Sequence, residues 1–275
     1  MKHVIRIAVL SCTLAMGLTA SAANLASDHA GDPAYFSLTW TNGSNGGTGF
    51  GPWQLSTFGM IAGHFMWTSV TNGDLTDDGW TGGVAGDNDI DTQDPSNRPV
   101  SWGMWGDISD AIAIRPFTGT NPELEPGQTF SVDFDTGVLY PRFQASVALL
   151  DGATNPVLTV YFNGGDSQYR VTDASNSGLG LGIGHGTEGL NLKITIGSTG
   201  YDYTASLTRR DGATTNWSGT ISAGARAFVA QIYGIDLGAE FIFFINSMSI
   251  VPEPSTVALA ALGVLGVVVR TIRRK

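Results

Sequence analysis

The sequence predicts an all-β protein, an antiparallel two-sheet sandwich of the jelly-roll or concanavalin-like kind. Three observations lead to this prediction. Glycine accounts for 37 of 275 residues and only 14% of residues are charged, which disfavours long helices because glycine is a poor helix former. Apolar and polar residues alternate with the period of two that is typical of half-buried strands. Asn-Gly and Asp-Gly pairs, which favour tight turns, recur between the alternating segments.

Several segments carry this strand pattern. Residues 130–134, 190–196 and 201–207 alternate regularly, whereas 157–162 and 241–245 are continuously apolar, as expected of strands covered on both faces. Further candidates are residues 35–41, 64–71, 100–105, 111–117, 143–150 and 227–233. So many short strands exceed an immunoglobulin-type domain and predict one larger sandwich over residues 24–250, with a propeller or β-solenoid as the alternative fold.

The charge and the N-terminus indicate export. The formal net charge is −10, and because phosphate binding needs a basic face, nucleic acid is not an expected partner. Residues 1–23 have the pattern of a secretory signal peptide: Lys2 and Arg6, then an apolar stretch, then small residues ending at Ala23. The Sec translocon and signal peptidase are therefore expected partners. Removal of this segment would also remove Cys12, the one cysteine, and exclude disulfides and thiol chemistry.

The C-terminal tail has three parts. Pro252-Glu253-Pro254 precedes an apolar run over residues 257–269, and a basic cluster ending in Lys275 follows. This order predicts a transmembrane helix with a cytoplasmic basic end. Thirteen helical residues span only about 20 Å, less than the ~30 Å hydrocarbon core, so the basic side chains would have to extend toward the membrane surface.

The tail, residues 251–275, closely resembles the PEP-CTERM sorting signal, and Pro252, Glu253 and Pro254 match its defining tripeptide. The resemblance implies export by a bacterium that makes extracellular polysaccharide. It also implies processing by an exosortase, a membrane cysteine transpeptidase. The expected localisation is a membrane-anchored precursor and then the cell surface or the extracellular matrix, such as that of a biofilm. The resemblance says nothing about the activity of the rest of the chain.

A polar loop over residues 72–98 is a candidate calcium site. It contains seven aspartates and no basic residue before Arg98. Asp87, Asp89 and Asp91 place oxygen ligands at alternate positions, as calcium loops do, and Asp94 or a main-chain carbonyl would complete the shell. The loop departs from an EF-hand, because Thr92 stands where glycine is needed and Arg98 where glutamate is needed. A solvated acidic loop without a bound cation is the alternative.

Six of the seven tryptophans lie between residues 40 and 105. Trp40, Trp67 and Trp102 fall within predicted strands and are assigned to the core. Trp53 and Trp80 lie near glycine-rich turns, so we predict that they are exposed. An exposed indole beside carboxylates and amides suits stacking on a sugar ring, which makes these two the candidate sugar-binding residues.

Signals for catalysis are weak. A glycosidase needs two carboxylates that flank the scissile bond, and Glu123 and Glu125 lie in a turn between prolines. The chain has no nucleophile elbow, phosphate loop or zinc-type histidine spacing. The sequence therefore predicts a non-enzymatic exported protein with a structural, adhesive or polysaccharide-binding role. The alternative is a polysaccharide hydrolase or lyase that uses aspartates of the 74–94 region.

Overall fold

A computed structural model describes residues 25–36, 39–67, 90–118, 122–136, 139, 141–185, 188–234 and 241–252. The prediction of an all-β antiparallel sandwich is confirmed. The strands of this part of the chain are β1 Ala26–Asp28, β2 Gln54–Trp67, β3 Thr92–Gln93, β4 Pro99–Pro116, β5 Gln128–Thr136, β6 Phe143–Leu150, β7 Pro156–Asn163, β8 Arg170–Asp173, β9 Leu179–Gly180, β10 Leu190–Ile196, β11 Asp202–Arg209, β12 Thr214–Thr220, β13 Ala227–Gly234 and β14 Phe241–Pro252.

Two antiparallel layers face each other. Layer A has the order β12-β11-β10-β5-β14, and layer B has the order β13-β6-β7-β8-β9. Strand β4 belongs to both, because residues 102–106 pair with β14 and residues 110–116 pair with β13. Strand β2 pairs with β4 through both halves, so a two-stranded ribbon bends from one layer into the other.

The core lies between the layers. The inner positions of β5 and β13 are apolar and meet across it, for example Phe130 and Phe228, whose ring centroids are 5.5 Å apart. Strand β14 lies between β5 and the first half of β4, and its Phe243, Phe244 and Ile245 are fully buried. In β5 the alternation read from the sequence is the alternation of core and surface. Strand β14 is instead covered on both faces, since Phe243 and Ile245 belong to the core while the Phe244 ring packs on Phe65 at 5.7 Å between centroids.

The two ends of the sandwich are distinct. At the end that we call the carboxyl end, β14 finishes with Pro252 paired to Gln128, and β1 lies beside it, with the Leu25 amide donating to the Ile250 carbonyl at 2.9 Å. Leu124, which precedes β5, also lies at this end, and its amide donates to the Ala225 carbonyl at 2.9 Å. The opposite, distal end holds the start of β14 and the bend of the β2–β4 ribbon.

Some predicted strand bounds are wrong. In the predicted strand 35–41, Tyr35 lies in a 3₁₀ turn whose first residue is Pro33. Strand β2 begins at Gln54, ten residues before the predicted start at His64, because its glycines and hydroxyl residues resemble a loop. The predicted strands 100–105 and 111–117 belong to the single bent strand β4.

Candidate functional site

Two exposed aromatic side chains flank a carboxylate on the outer face of layer B. Phe58 is 61% exposed and Tyr233 is 42% exposed. Phe58 lies directly opposite Asp110 on β4, and Asp110 lies directly opposite Tyr233 on β13. Because residues paired in this way point to the same face, the three side chains form one line across three strands.

The line continues into two amides. Tyr233 is paired with Gln144 on β6, and Gln144 with Asn163 on β7. The Gln144 Nε2 group donates to Asn163 Oδ1 at 2.8 Å. We call the set Phe58, Asp110, Tyr233, Gln144 and Asn163 the aromatic–amide row. With strands about 4.8 Å apart, the row is roughly 19 Å long, comparable with a short oligosaccharide.

The bend of the β2–β4 ribbon places Phe58 at the surface. Gly59 has a φ of 110°, and a Cβ there would lie 2.4 Å from Ser109 Oγ and 2.8 Å from the Ile108 carbonyl. Ile108 has a φ of 46°, an uncommon conformation for a β-branched residue. Ser109 Oγ accepts a hydrogen bond from the Ile61 amide at 2.9 Å and closes the bend. Backbone strain of this kind concentrates at functional sites.

Asp110 is the titratable group of the row. Burial raises the pKa of its carboxyl above the usual range, and a hydrogen bond with the Gln231 side chain opposes that shift. The carboxyl therefore keeps its proton to a higher pH than a free aspartate. In either form it can bond to a hydroxyl, as donor when protonated and as acceptor when ionised.

An apolar strip lies beside the row on the same outer face. Ala148, Leu150, Ala227 and Val229 are all buried there and form a second cluster separate from the core, with the half-buried Ile112 and Ile114 against it. Because these side chains are covered, the apolar groups that a ligand can contact are the exposed rings of Phe58 and Tyr233, next to the carboxyl and amide groups of the row. This combination is typical of small-molecule and saccharide sites.

The prediction that Trp53 is exposed is wrong. Its indole is fully buried, edge-to-face with Trp40 and with Trp102, each at 5.1 Å between centroids. The glycine-rich turn does not expose it because that turn packs onto β1: Gly47 has a φ of 68°, and a Cβ there would lie 2.1 Å from the Ser27 carbonyl. Trp53 therefore cannot stack on a sugar. Trp80 lies outside the described residues.

The assignment of three tryptophans to the core is wrong for Trp67. Trp40 and Trp102 are buried as predicted, whereas Trp67, at the end of β2, is 51% exposed. Sequence reasoning also missed Phe58 and Tyr233. The signal for Tyr233 was available: if Phe228, Ala230 and Ile232 face the core, period-two alternation places residue 233 outside.

Two of the four candidate calcium ligands lie within the described residues. Asp91 Oδ1 accepts a hydrogen bond from Ser101 Oγ at 2.6 Å. The sequence suggested that the aspartates of this loop have no cationic partner, and for Asp94 this is wrong. The Arg98 guanidinium is 2.6 Å from Asp94 Oδ2, and the Ser96 and Arg98 amides donate to Asp94 Oδ1. In the described parts of the chain, no three His, Cys, Asp or Glu side chains are grouped to hold a metal. Asp87 and Asp89 lie outside those parts.

The sorting tripeptide begins inside the last strand. Val251 and Pro252 are half-buried and pair with Thr129 and Gln128 of β5. Glu253, Pro254, the predicted transmembrane segment 257–269 and the predicted signal peptide lie outside the described residues. Within the described residues, none of the helical structure has the length and apolarity of a membrane span. The sandwich thus continues directly into the sorting motif.

Residues 251–275 match the family model described as the PEP-CTERM protein-sorting motif. This match confirms the resemblance drawn from the tripeptide, the apolar run and the basic end, and it indicates an exosortase-sorted surface protein. It covers the tail alone. No curated protein matches the chain in sequence.

Many solved structures are similar to the chain in fold. One is a carbohydrate esterase from Shiga toxin-encoding bacteriophage phi24B, with 12% identity, 84% of this chain and 98% of that chain covered, and a TM-score of 0.49. A sialidase has 8% identity and a TM-score of 0.43; 57% of this chain and only 16% of the sialidase are covered. A lectin, UEA-II with galactose, has 10% identity, 52% and 82% coverage and a TM-score of 0.35. At such values these similarities define neither ligand nor activity here.

Proposed function

We propose that the chain is a non-enzymatic, exported surface protein that binds a polysaccharide along the aromatic–amide row. The observation that carries this proposal is the pair of exposed rings, Phe58 and Tyr233, on either side of Asp110. An aromatic face stacks on the C–H groups of a sugar ring, while a carboxyl and two amides hydrogen-bond to its hydroxyls. The row supplies both kinds of contact in one line.

The position of the row suits display at a surface. Asp110 and Tyr233 lie at the distal end, whereas Pro252 ends the sandwich at the carboxyl end, next to the sorting tail. Strand β5, which runs between the two ends, has nine residues and spans about 26 Å. In the anchored precursor the row would therefore point away from the membrane.

Loss of either ring is expected to weaken binding about two- to tenfold, because an aromatic contact of this kind contributes about 0.5–1.5 kcal/mol. The measurement is titration of the detergent-solubilised full chain, as Phe58→Ala and as Tyr233→Ala, with ligands chosen by a glycan array. Tyr201→Ala is the matched control, because Tyr201 is also exposed but lies near the carboxyl end. Equal affinities in all three variants would exclude the row as the binding site.

Turnover on the same face is the second candidate function. The observation that favours it is the raised pKa of Asp110, since a carboxyl that holds its proton to higher pH can act as a general acid. Product analysis after incubation with each bound polysaccharide separates the two functions. Shortened chains that disappear in Asp110→Asn would assign a hydrolase or lyase, whereas unchanged ligand supports binding alone.

We also propose a calcium site around Asp87, Asp89 and Asp91, supported by their alternate spacing. A cation that binds only the folded chain stabilises it by about 2.7 kcal/mol at a hundredfold excess over the dissociation constant. Thermal melts in calcium and in chelator should therefore differ by several degrees, and Asp89→Ala should remove the difference. Identical wild-type melts, with no bound metal by elemental analysis, would leave only a solvated loop.

Processing at the tail follows from the sorting motif. We expect the mature protein from its native host to lack the residues beyond about position 256, since an exosortase would remove the membrane segment and the basic end. Intact-mass measurement of the purified protein checks this expectation. A mature chain that still ends in Lys275 would contradict it.

A further inference from the structure

The outer face of layer A carries a groove that the aromatic–amide row does not use. It has a volume of about 550 Å³ and crosses strands β5, β10, β11 and β12. Most of the lining residues have short polar side chains, and Ala205, Trp217 and Lys193 complete the set: Thr129, Thr195, Thr204, Ser206, Asn216 and Ser218 are the polar ones. Apolar atoms, including those of the Trp217 ring and the threonine methyl groups, form much of the surface. The groove lies on the opposite side of the sandwich from the row, because the two outer faces belong to different layers.

The lining is an ordered set of cross-strand lines. Lys193, Ser206 and Asn216 are paired in succession across β10, β11 and β12. Beside them Thr129, Thr195, Thr204 and Ser218 form a second line. The groove therefore presents hydroxyl and amide groups over four strands, a distance of roughly 14 Å.

Several of these polar groups are available to a ligand. The Thr129 and Thr195 hydroxyls bond to each other at 2.7 Å. The side chains of Thr204, Ser206 and Asn216 make no hydrogen bond within the described residues. The hydroxyls and the amide can both donate and accept hydrogen bonds. They can therefore pair with the hydroxyl groups of a polyhydroxylated chain, which also donate and accept.

Lys193 gives the groove its charge. It is exposed, it is the one charged residue among those that line the groove, and no described carboxylate lies within ion-pair distance of its ammonium. Asp133 lies on β5 opposite Asn191. Its carboxylate already accepts hydrogen bonds from Arg210 at 3.1 Å and from Asn191 at 2.7 Å. Asp133 also interacts electrostatically with Lys193, but it is not among the residues that line the groove, so Lys193 is the charged group that the described lining presents to a ligand.

We propose that this groove binds an acidic oligosaccharide, with a uronate carboxylate on Lys193 and the sugar hydroxyls on Thr204, Ser206 and Asn216. The groove would be a second saccharide site, and its acidic ligand differs from the polysaccharide proposed for the aromatic–amide row. A protein that holds a saccharide on each outer face connects two polysaccharide chains. The two sites together would make the exported chain a cross-linker of the surrounding matrix.

The test is calorimetric titration of the detergent-solubilised full chain with an oligouronate and with a neutral oligosaccharide of the same length. We expect the oligouronate to bind in the wild type and in Lys193→Arg. In Lys193→Gln its affinity should fall about three- to tenfold, in the range for one charged hydrogen bond at a partly exposed site. Added salt should weaken the wild-type affinity toward that of the Gln variant.

Phe58→Ala serves as the matched control that separates the two sites. It should leave the affinity for the oligouronate unchanged while lowering the affinity of the aromatic–amide row for its own ligand. Absence of oligouronate binding, equal binding by the wild type and Lys193→Gln, or equal affinity for the neutral oligosaccharide would each overturn the proposal. Circular dichroism of Lys193→Gln confirms that any loss of binding is not a loss of fold.

Discussion

Replacement of Arg115 by methionine is expected to lower the free energy of unfolding by about 3–5 kcal/mol, the cost of removing one partner of a buried ion pair. Arg115 and Asp28 both have fully buried side chains, and their nearest atoms are 2.5 Å apart. The guanidinium also donates to the Gly46 carbonyl at 2.8 Å and lies 5.1 Å from the ring centroid of Trp53. Its loss would leave the Asp28 carboxylate buried without a cation.

The network around Asp28 explains why the loss would be large. Tyr35 donates its hydroxyl to Asp28 at 2.8 Å and accepts the Gly46 amide at 2.8 Å. These bonds connect β1, the 3₁₀ turn, the glycine-rich turn and β4. Without the guanidinium, several of these buried polar groups lose a partner, and each costs about 1–3 kcal/mol.

The destabilisation should depend on pH. Burial raises the pKa of Asp28 to about 6, against the effects of Arg115 and of the Tyr35 hydroxyl. A carboxyl whose pKa is raised on folding contributes stability that is present below its unfolded pKa, near 3.8, and is lost as pH rises through its folded pKa. Without Arg115 that pKa rises further, so Arg115→Met should be closest to the wild type at pH 4 and furthest from it at pH 7.

Urea denaturation at both pH values measures the effect. Arg226→Met is the matched control, because Arg226 forms a surface ion pair with Glu123 at 3.0 Å with 49% of its side chain exposed, and such pairs contribute about 1 kcal/mol or less. Asp28→Asn in the Arg115→Met background should restore most of the loss. If Arg115→Met and Arg226→Met have the same free energy of unfolding at pH 7, the Arg115–Asp28 ion pair does not stabilise the sandwich.

The fold was predictable because each layer buries one face. Alternation in segments such as 190–196 reports directly which side chains face the core, and the structure places Leu190, Leu192 and Ile194 there. Strand β12 escaped prediction because it is an edge strand with a single large apolar residue, Trp217, among polar residues and glycine. Its sequence carries no strong apolar signal since it covers only the margin of the core.

The candidate site was less predictable. Burial of Trp53 depends on the packing of the Gly47 turn against β1, a contact between residues distant in sequence that local composition does not report. The aromatic–amide row brings together β2, β4, β13, β6 and β7, and only the sheet order makes them neighbours. The sorting signal, by contrast, lies in consecutive residues and was identified from them.

Truncation before β14 is expected to abolish folding, whereas truncation just after it should not. Strand β14 joins β5 to β4 and buries Phe243, Phe244, Ile245 and Met248, each no more than 1% exposed. Large apolar side chains contribute about 1.5–3 kcal/mol each when buried, so their combined loss is comparable with the ~5–15 kcal/mol stability of a whole domain.

The comparison is between chains that comprise residues 24–240 and 24–252, followed by circular dichroism during urea unfolding. We expect a cooperative transition only for the longer chain, and its recovery when a peptide of residues 241–252 is added to the shorter one. A cooperative transition of equal midpoint in both chains would contradict the central role of β14. Strand β14 immediately precedes the sorting tail and follows every other described strand in sequence, so we expect the sandwich to close only after the chain up to Pro252 has emerged.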